Sequence, residues 1–288
     1  MSVDTPVVLN GRGAFCSYEF PSAGISDFSE IRRAQALCVL NESRLFFARS
    51  IVLQKLNSLE KMLDMAEWLT RALREEIVQA AADVLGSGRV DQLMGIEGAI
   101  SRKIFEEMER RVPSSFGFHG RNRRPPLDPV NAYISYCNCI VYALCVPSLA
   151  KAGLNTAVGF LHEPGAGRHT LALDMAEGLK PLLVDFTLAT LIRHKRFEPD
   201  MTEMTPFGCF LNKTGRKAAR EAMINAMHWM FGIDEESSWG WPKSLWHALE
   251  RYALDIAGSV LRGTPDFRWS FVDCKGGSAK CTVFSSMM

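Results

Sequence analysis

One histidine and two carboxylates stand close together in this chain. They lie in the run Gly159-Phe160-Leu161-His162-Glu163-Pro164-Gly165-Ala166-Gly167-Arg168-His169-Thr170-Leu171-Ala172-Leu173-Asp174-Met175-Ala176-Glu177. An apolar approach delivers His162 into a Pro/Gly-rich turn, after which Thr170 is placed to cap a helix through its hydroxyl. On that helix Asp174 and Glu177 are three residues apart and share a face. An imidazole facing two carboxylates is the raw material of a divalent-cation site. The same residues also fit a core histidine with two solvated acids, Lys180 pairing with Glu177.

A third acid is out of place in another way. On the helix expected from Val90 or Gly95 to Arg111, Glu97 falls in register with Ile100, Ile104 and Met108, and its neighbours Leu93, Met94, Ile100 and Ser101 carry no positive charge. A carboxylate aimed at a core without a partner costs several kcal/mol unless something binds it. A helix rotated by one position would instead leave Glu97 at the edge of the stripe. Two basic stretches complete the chemistry. Arg121, Arg123 and Arg124 precede a helix N-terminus, where they suit a phosphate or form a solvated basic loop. Lys213, Arg216 and Lys217 open another helix, where dipole logic prefers acids, so an anionic partner fits them.

The elements that must position these groups are mostly helical. Apolar spacing predicts helices over 26–40, 42–61 and 64–85, with Gly86-Ser87-Gly88 ending the third. Residues 113–129 read as a loop closed by Asp128-Pro129, a cap followed by proline at the first helical position. The helix from 129 to 151 should bend or break at Pro147. The acid-bearing helix should run on to Arg196 with a kink at Pro181. A loop at 197–206, a helix from 213 to about 230 and a last helix over 242–262 follow. The only strand signal is at the front, where residues 5–20 read as a hairpin about Asn10-Gly11.

The whole chain has 288 residues, 47% hydrophobic, and a net charge of +1, so a polyanion must be met by local basic patches and not by a global field. No apolar run approaches the roughly 20 residues that span a bilayer, and Met1-Ser2-Val3-Asp4 starts no signal peptide. Eight cysteines without a CxxC pair read as small core residues in a reducing, hence cytoplasmic, compartment.

Four ordered stretches resemble the CRISPR-associated endonuclease/integrase family, the adaptation nuclease that inserts new spacers. Arg121-Asn122-Arg123-Arg124-Pro125-Pro126-Leu127-Asp128-Pro129-Val130-Asn131-Ala132 is similar to its loop-to-helix signature, and Leu93-Met94-Gly95-Ile96-Glu97-Gly98 to its first acidic motif. Residues Gly159 to Pro164 with Leu171-Ala172-Leu173-Asp174 resemble its histidine and second acidic motifs, and Ile31-Arg32-Arg33-Ala34-Gln35 its first long helix. The resemblance implies a mainly α protein, a multi-helix catalytic domain over 23–270 behind a β-hairpin remnant at 1–22, with a loosely held tail at 271–288. It implies that Glu97, His162 and Glu177 bind Mg²⁺ or Mn²⁺, that His162 and Asp174 are catalytic, with Asp174 as ligand or support, and that the basic residues touch DNA. The implied reaction is metal-dependent phosphodiester transfer on double-stranded and branched DNA. The implied partners are a second copy and a small second adaptation protein, with no membrane. The alternatives are an inert DNA-binding remnant and a metal-dependent hydrolase of a small substrate. Family members begin with a complete β-rich domain; with only a hairpin here, the expectation is metal chemistry within 89–230 without the ruler that spaces two insertions. Crowding of like charges leads to the further expectation that removing one acid stabilises the metal-free protein.

Overall fold

A computed structural model describes residues 28–165, 167–231 and 243–267. Its helices are α1 (Phe28–Leu40), α2 (Ser43–Met65), α3 (Arg71–Gly86), α4 (Val90–Arg111), α5 (Pro129–Lys151), α6 (Thr170–Glu177), α7 (Phe186–Arg193), α8 (Lys213–Phe231) and α9 (Lys243–Arg262). The mainly helical expectation holds. The strand hairpin expected at 5–20 and the tail beyond 270 lie outside the described residues.

Local chemistry sets most boundaries. Asp128 caps α5, its Oδ1 accepting the Asn131 N–H at 2.9 Å, with Pro129 in the first turn. Thr70 does the same for α3, accepting from Leu73 N. α2 runs to Met65, past the expected stop at 61, and ends where Glu67 takes a positive φ of 60°.

Helix α5 is the central rod, packed against α6, α8 and α9, with Tyr133, Val141 and Leu149 fully buried. Pro147 neither ends it nor stops it short of Lys151. By length and composition α5 is also able to cross a bilayer, contrary to the expectation that no stretch qualifies. Its Ser and Asn residues interrupt any continuous apolar run, yet the average hydropathy stays high. In the fold that apolarity is spent on the core. Four of the described cysteines, Cys38, Cys137, Cys145 and Cys209, are buried thiols as expected, whereas Cys139 on α5 is exposed.

Two departures matter for the site. The acid-bearing helix does not run on to 196. It stops at Glu177, and Pro181–Asp185 forms a π-helical turn in which the Phe186 N–H donates to the Pro181 carbonyl before α7 resumes. Pro181 has no N–H for the preceding turn, so the ladder slips there. The expected loop at 197–206 instead leads into an antiparallel hairpin, β1 (Thr202–Thr205) and β2 (Gly208–Leu211), registered Thr202 to Leu211 and Thr205 to Gly208. Four-residue strands reading Thr-Glu-Met-Thr and Gly-Cys-Phe-Leu are too short to show an alternating signal.

Candidate metal centre and its basic rim

The loop carrying His162 is fixed before its chemistry begins. Gln35 of α1 is fully buried and donates to the carbonyls of Asn155 and Val158, accepting in return from Asn155 N. Arg44 of α2 donates to the Phe160 carbonyl at 3.0 Å and pairs with Glu163 at 2.6 Å. Phe160 stacks on Phe47 with ring centres 4.4 Å apart. Thr170 does not cap α6 as expected. Its hydroxyl donates to Ala157 O and accepts from Gly159 N, tying the helix start to the loop.

Asp174 gathers that loop around itself. Its Oδ2 accepts the N–H groups of Phe160 at 2.6 Å and Leu161 at 3.0 Å, and its Oδ1 accepts from His162 N at 3.0 Å and His162 Nδ1 at 2.7 Å. Four donors converge on one carboxylate, each of which would cost about 1–3 kcal/mol if left buried and unpaired. Gly159 makes the approach possible, since a Cβ there would lie 2.8 Å from Asp174 Oδ2 and 2.9 Å from the Thr170 carbonyl carbon. Both oxygens of Asp174 are therefore engaged in holding this loop. Asp174 engages His162 Nδ1 and turns Nε2 toward Glu177, whose Oε1 lies 3.9 Å away.

Glu97 lies partly buried on the α4 stripe that carries Leu93, Ile100 and Ile104, and it is not unpartnered. Ser101 donates to it at 2.9 Å, and the Lys55 ammonium of α2 bonds the same Oε1. Lys55 also reaches Glu177 Oε2 at 2.8 Å, while Lys180 bonds Glu177 Oε1 and lies 4.9 Å from the centre of the Tyr142 ring. Lys55 and Glu177 are both buried. Burial alone would raise the Glu177 carboxyl, but Lys180, Lys55 and His162 outweigh it and hold it far below the usual carboxylate range. Burial alone would lower the Lys180 ammonium, and Glu177 drives it upward. One turn on, burial pushes Asp185 up to about 7, although Lys55, Arg121 and Lys180 pull the other way.

Sequence reasoning anticipated the Lys180–Glu177 pair but missed Lys55 and Asp185. A lysine among Val52, Leu56 and Leu59 on the buried face of α2 was the available signal.

Among the described residues no trio of His, Cys, Asp or Glu already stands in metal-holding geometry. The donor set nevertheless fits a divalent cation. Two carboxylates from α4 and α6 meet on one ammonium, an imidazole nitrogen lies beside them, and Glu177 Oε2 is buried and accepts no aligned hydrogen bond.

The basic rim divides by role. Arg121 is turned inward, donating to Asn131 Oδ1 at 2.7 Å, to Ser135 Oγ at 3.1 Å and to the Asn122 carbonyl, so it anchors the loop and does not stand as a free phosphate clamp. Burial and nearby Arg123 lower its guanidinium to about 10. Arg123 and Arg124 are exposed. Lys213, Arg216 and Lys217 are exposed on α8, where Arg216 donates to Leu211 O at 2.5 Å and Lys217 lies 3.8 Å from Glu221.

A fold that gathers an imidazole and two glutamates from separate segments beside an arginine-bearing rim defines a mainly helical protein with a mixed carboxylate–imidazole cluster. The chain belongs to the CRISPR associated protein Cas1 family, whose profile matches residues 5–224. A CRISPR-associated endonuclease Cas1 of Thermus thermophilus is 32% identical over 77% of this chain and 69% of its own length. Another, of Thermodesulfovibrio yellowstonii, is 34% identical over 51% of this chain and 46% of its own; the chain thus matches about half the length of that relative. Among solved structures, a casposase bound to integration product has a TM-score of 0.73 at 18% identity, covering 94% of this chain and 76% of that one. A CAS1 protein from Thermotoga maritima gives 0.72 at 22%, covering 87% and 76%, and a partial Cas6-RT-Cas1–Cas2 complex gives 0.74 at 19%, covering 91% and 79%. At such identities these structures share the fold.

Proposed function

We propose that the chain is a metal-dependent DNA endonuclease/integrase that acts by phosphodiester transfer in CRISPR spacer acquisition. The observation that carries this reading is the meeting of Glu97 and Glu177, 80 residues apart, on one cation beside His162. Glu97, His162 Nε2 and Glu177 would hold Mg²⁺ or Mn²⁺, the carboxylates favouring the harder ion and the imidazole the later one. Such an ion, when bound, supplies Lewis-acid stabilisation of charge on a phosphoryl oxygen. Asp174 keeps the histidine in its ligating tautomer. Lys55, once off the glutamates, is a buried ammonium able to face a phosphate, and Lys180 stays to neutralise Glu177. Arg123, Arg124, Lys213, Arg216 and Lys217 hold the DNA backbone, with Arg121 bracing the loop that presents them. The domain division over 23–270, a second copy and a small second adaptation protein as partners, and a cytoplasmic setting belong to the same reading. Family membership and the casposase-like and Cas1–Cas2-like fold support it.

Incubating the chain with branched DNA, with and without Mn²⁺, tests it. Strand cleavage is expected only with Mn²⁺ and is expected to be lost in His162→Ala. Cleavage in metal-free buffer, or at the wild-type rate in His162→Ala, would refute the reading. DNA binding with no cleavage under either condition would favour the inert remnant.

A further inference from the structure

Phe207 is among the most exposed large apolar side chains of the described residues, at 79%. It stands at the tip of the β1–β2 hairpin in the turn Thr205-Pro206-Phe207-Gly208. The turn is stiff. The Thr205 hydroxyl accepts from Phe207 N at 3.1 Å and donates to Gly208 O at 3.0 Å, and the proline ring fixes its own φ. Three other exposed apolar side chains lie close by in the chain or across the turn: Met204, Phe210 and, on the arginine loop, Leu127.

This tip is locked to the basic rim. Cys209 N donates to the Pro126 carbonyl at 2.7 Å. Gly208 has a φ of +120°, and a Cβ there would lie 2.5 Å from Pro125 Cβ and 2.7 Å from Pro126 O, so only glycine allows the hairpin to seat on the loop. On its other side β2 is tied to α8 by Arg216, which donates to Leu211 O. Phe207 is thus two residues before a backbone contact with the loop that carries Arg123 and Arg124, and β2 leads directly into the Lys213–Lys217 run. Glu203, opposite Phe210 on β1, is the acid on the exposed face of the hairpin.

A rigid aromatic tip flanked by exposed cations matches a nucleic acid whose bases are accessible. Cations meet the phosphates, and a ring with no polar atom stacks on a base face or wedges into an open step. Paired duplex offers its phosphates but few open base faces, whereas a branch point offers both. We propose that the β1–β2 hairpin reads branched DNA, with Phe207 stacking on an unpaired or destacked base at the junction while Arg123, Arg124 and the start of α8 hold the flanking backbone. This deepens the function proposed above and rests on that reading; it needs no metal.

The test is binding of forked and fully paired DNA of equal length, followed by fluorescence anisotropy in EDTA, by wild type, Phe207→Ala and Phe207→Trp. Loss of one base stack should weaken fork binding roughly fivefold to a hundredfold in Phe207→Ala and leave duplex binding unchanged. Phe207→Trp should restore the fork preference. Undiminished fork preference in Phe207→Ala would overturn the inference while leaving the metal-centre reading intact. A fall in self-association in Phe207→Ala, with DNA binding unaltered, would overturn it in favour of a protein–protein contact. If the wild-type chain bound neither DNA, the inference and the reading beneath it would fail together.

Discussion

Replacing Glu177 with alanine is expected to cost the metal-free protein about 3–5 kcal/mol of unfolding free energy, the scale for breaking a buried ion pair. Glu97→Ala should cost only on the order of 1 kcal/mol, the scale of one lost hydrogen-bonded partner. The asymmetry follows from the wiring. Glu177 pairs with both Lys55 and Lys180, so its loss leaves the partly buried Lys180 without its acid and Lys55 with Glu97 alone. Loss of Glu97 leaves Lys55 still paired with Glu177. The expectation from spacing, that removing an acid relieves crowding, is thereby reversed: the lysines already neutralise the site. The pH sign agrees. Glu177 is held below its unfolded value of about 4.3, so its contribution is complete above that value and fades only on further acidification. Urea denaturation in EDTA at pH 7 measures both variants, and equal losses would show that the pairs are not wired this way.

The second large effect concerns Lys55. In the metal-free chain its ammonium occupies both glutamates, so any divalent cation must displace it. Lys55→Met keeps the buried stem and removes the competitor. Its metal-free melting temperature should fall, because Glu97 is left with Ser101 alone. Its affinity for Mn²⁺ should rise tenfold or more, which at a fixed, near-saturating Mn²⁺ concentration adds about 1.4 kcal/mol of stabilisation. Thermal melts with and without Mn²⁺ give both quantities. A smaller Mn²⁺ stabilisation in the variant than in wild type would show instead that Lys55 assists the cation.

The residues that were readable from sequence are those whose signals are local. Helical periodicity placed α4 and α5 to within a few residues but started α3 seven residues early, and the Asp128 cap is a three-residue event. What escaped was contact between distant segments. Lys55 meets Glu97 from 42 positions away, which no i±3 or i±4 rule can show. The role of Asp174 was ambiguous because one carboxylate on a helix face can either ligate or brace. The four N–H donors that support bracing come from a loop that sequence places only loosely. Arg121 and Arg123 look alike in the chain, and only the side chains of Asn131 and Ser135 separate anchor from surface. The β1–β2 hairpin was missed because its order comes from docking on Pro126 and not from its own strands.

The central claim of the proposed function is that Glu97, His162 and Glu177 share one divalent cation. Counting bound Mn²⁺ by the loss of its free-ion electron paramagnetic resonance signal tests it most directly, in wild type and in Glu97→Ala. One tightly held Mn²⁺ per wild-type chain, absent from a Glu97→Ala chain that keeps its helical circular dichroism, is the predicted result. An unchanged Mn²⁺ count and affinity in Glu97→Ala would contradict it.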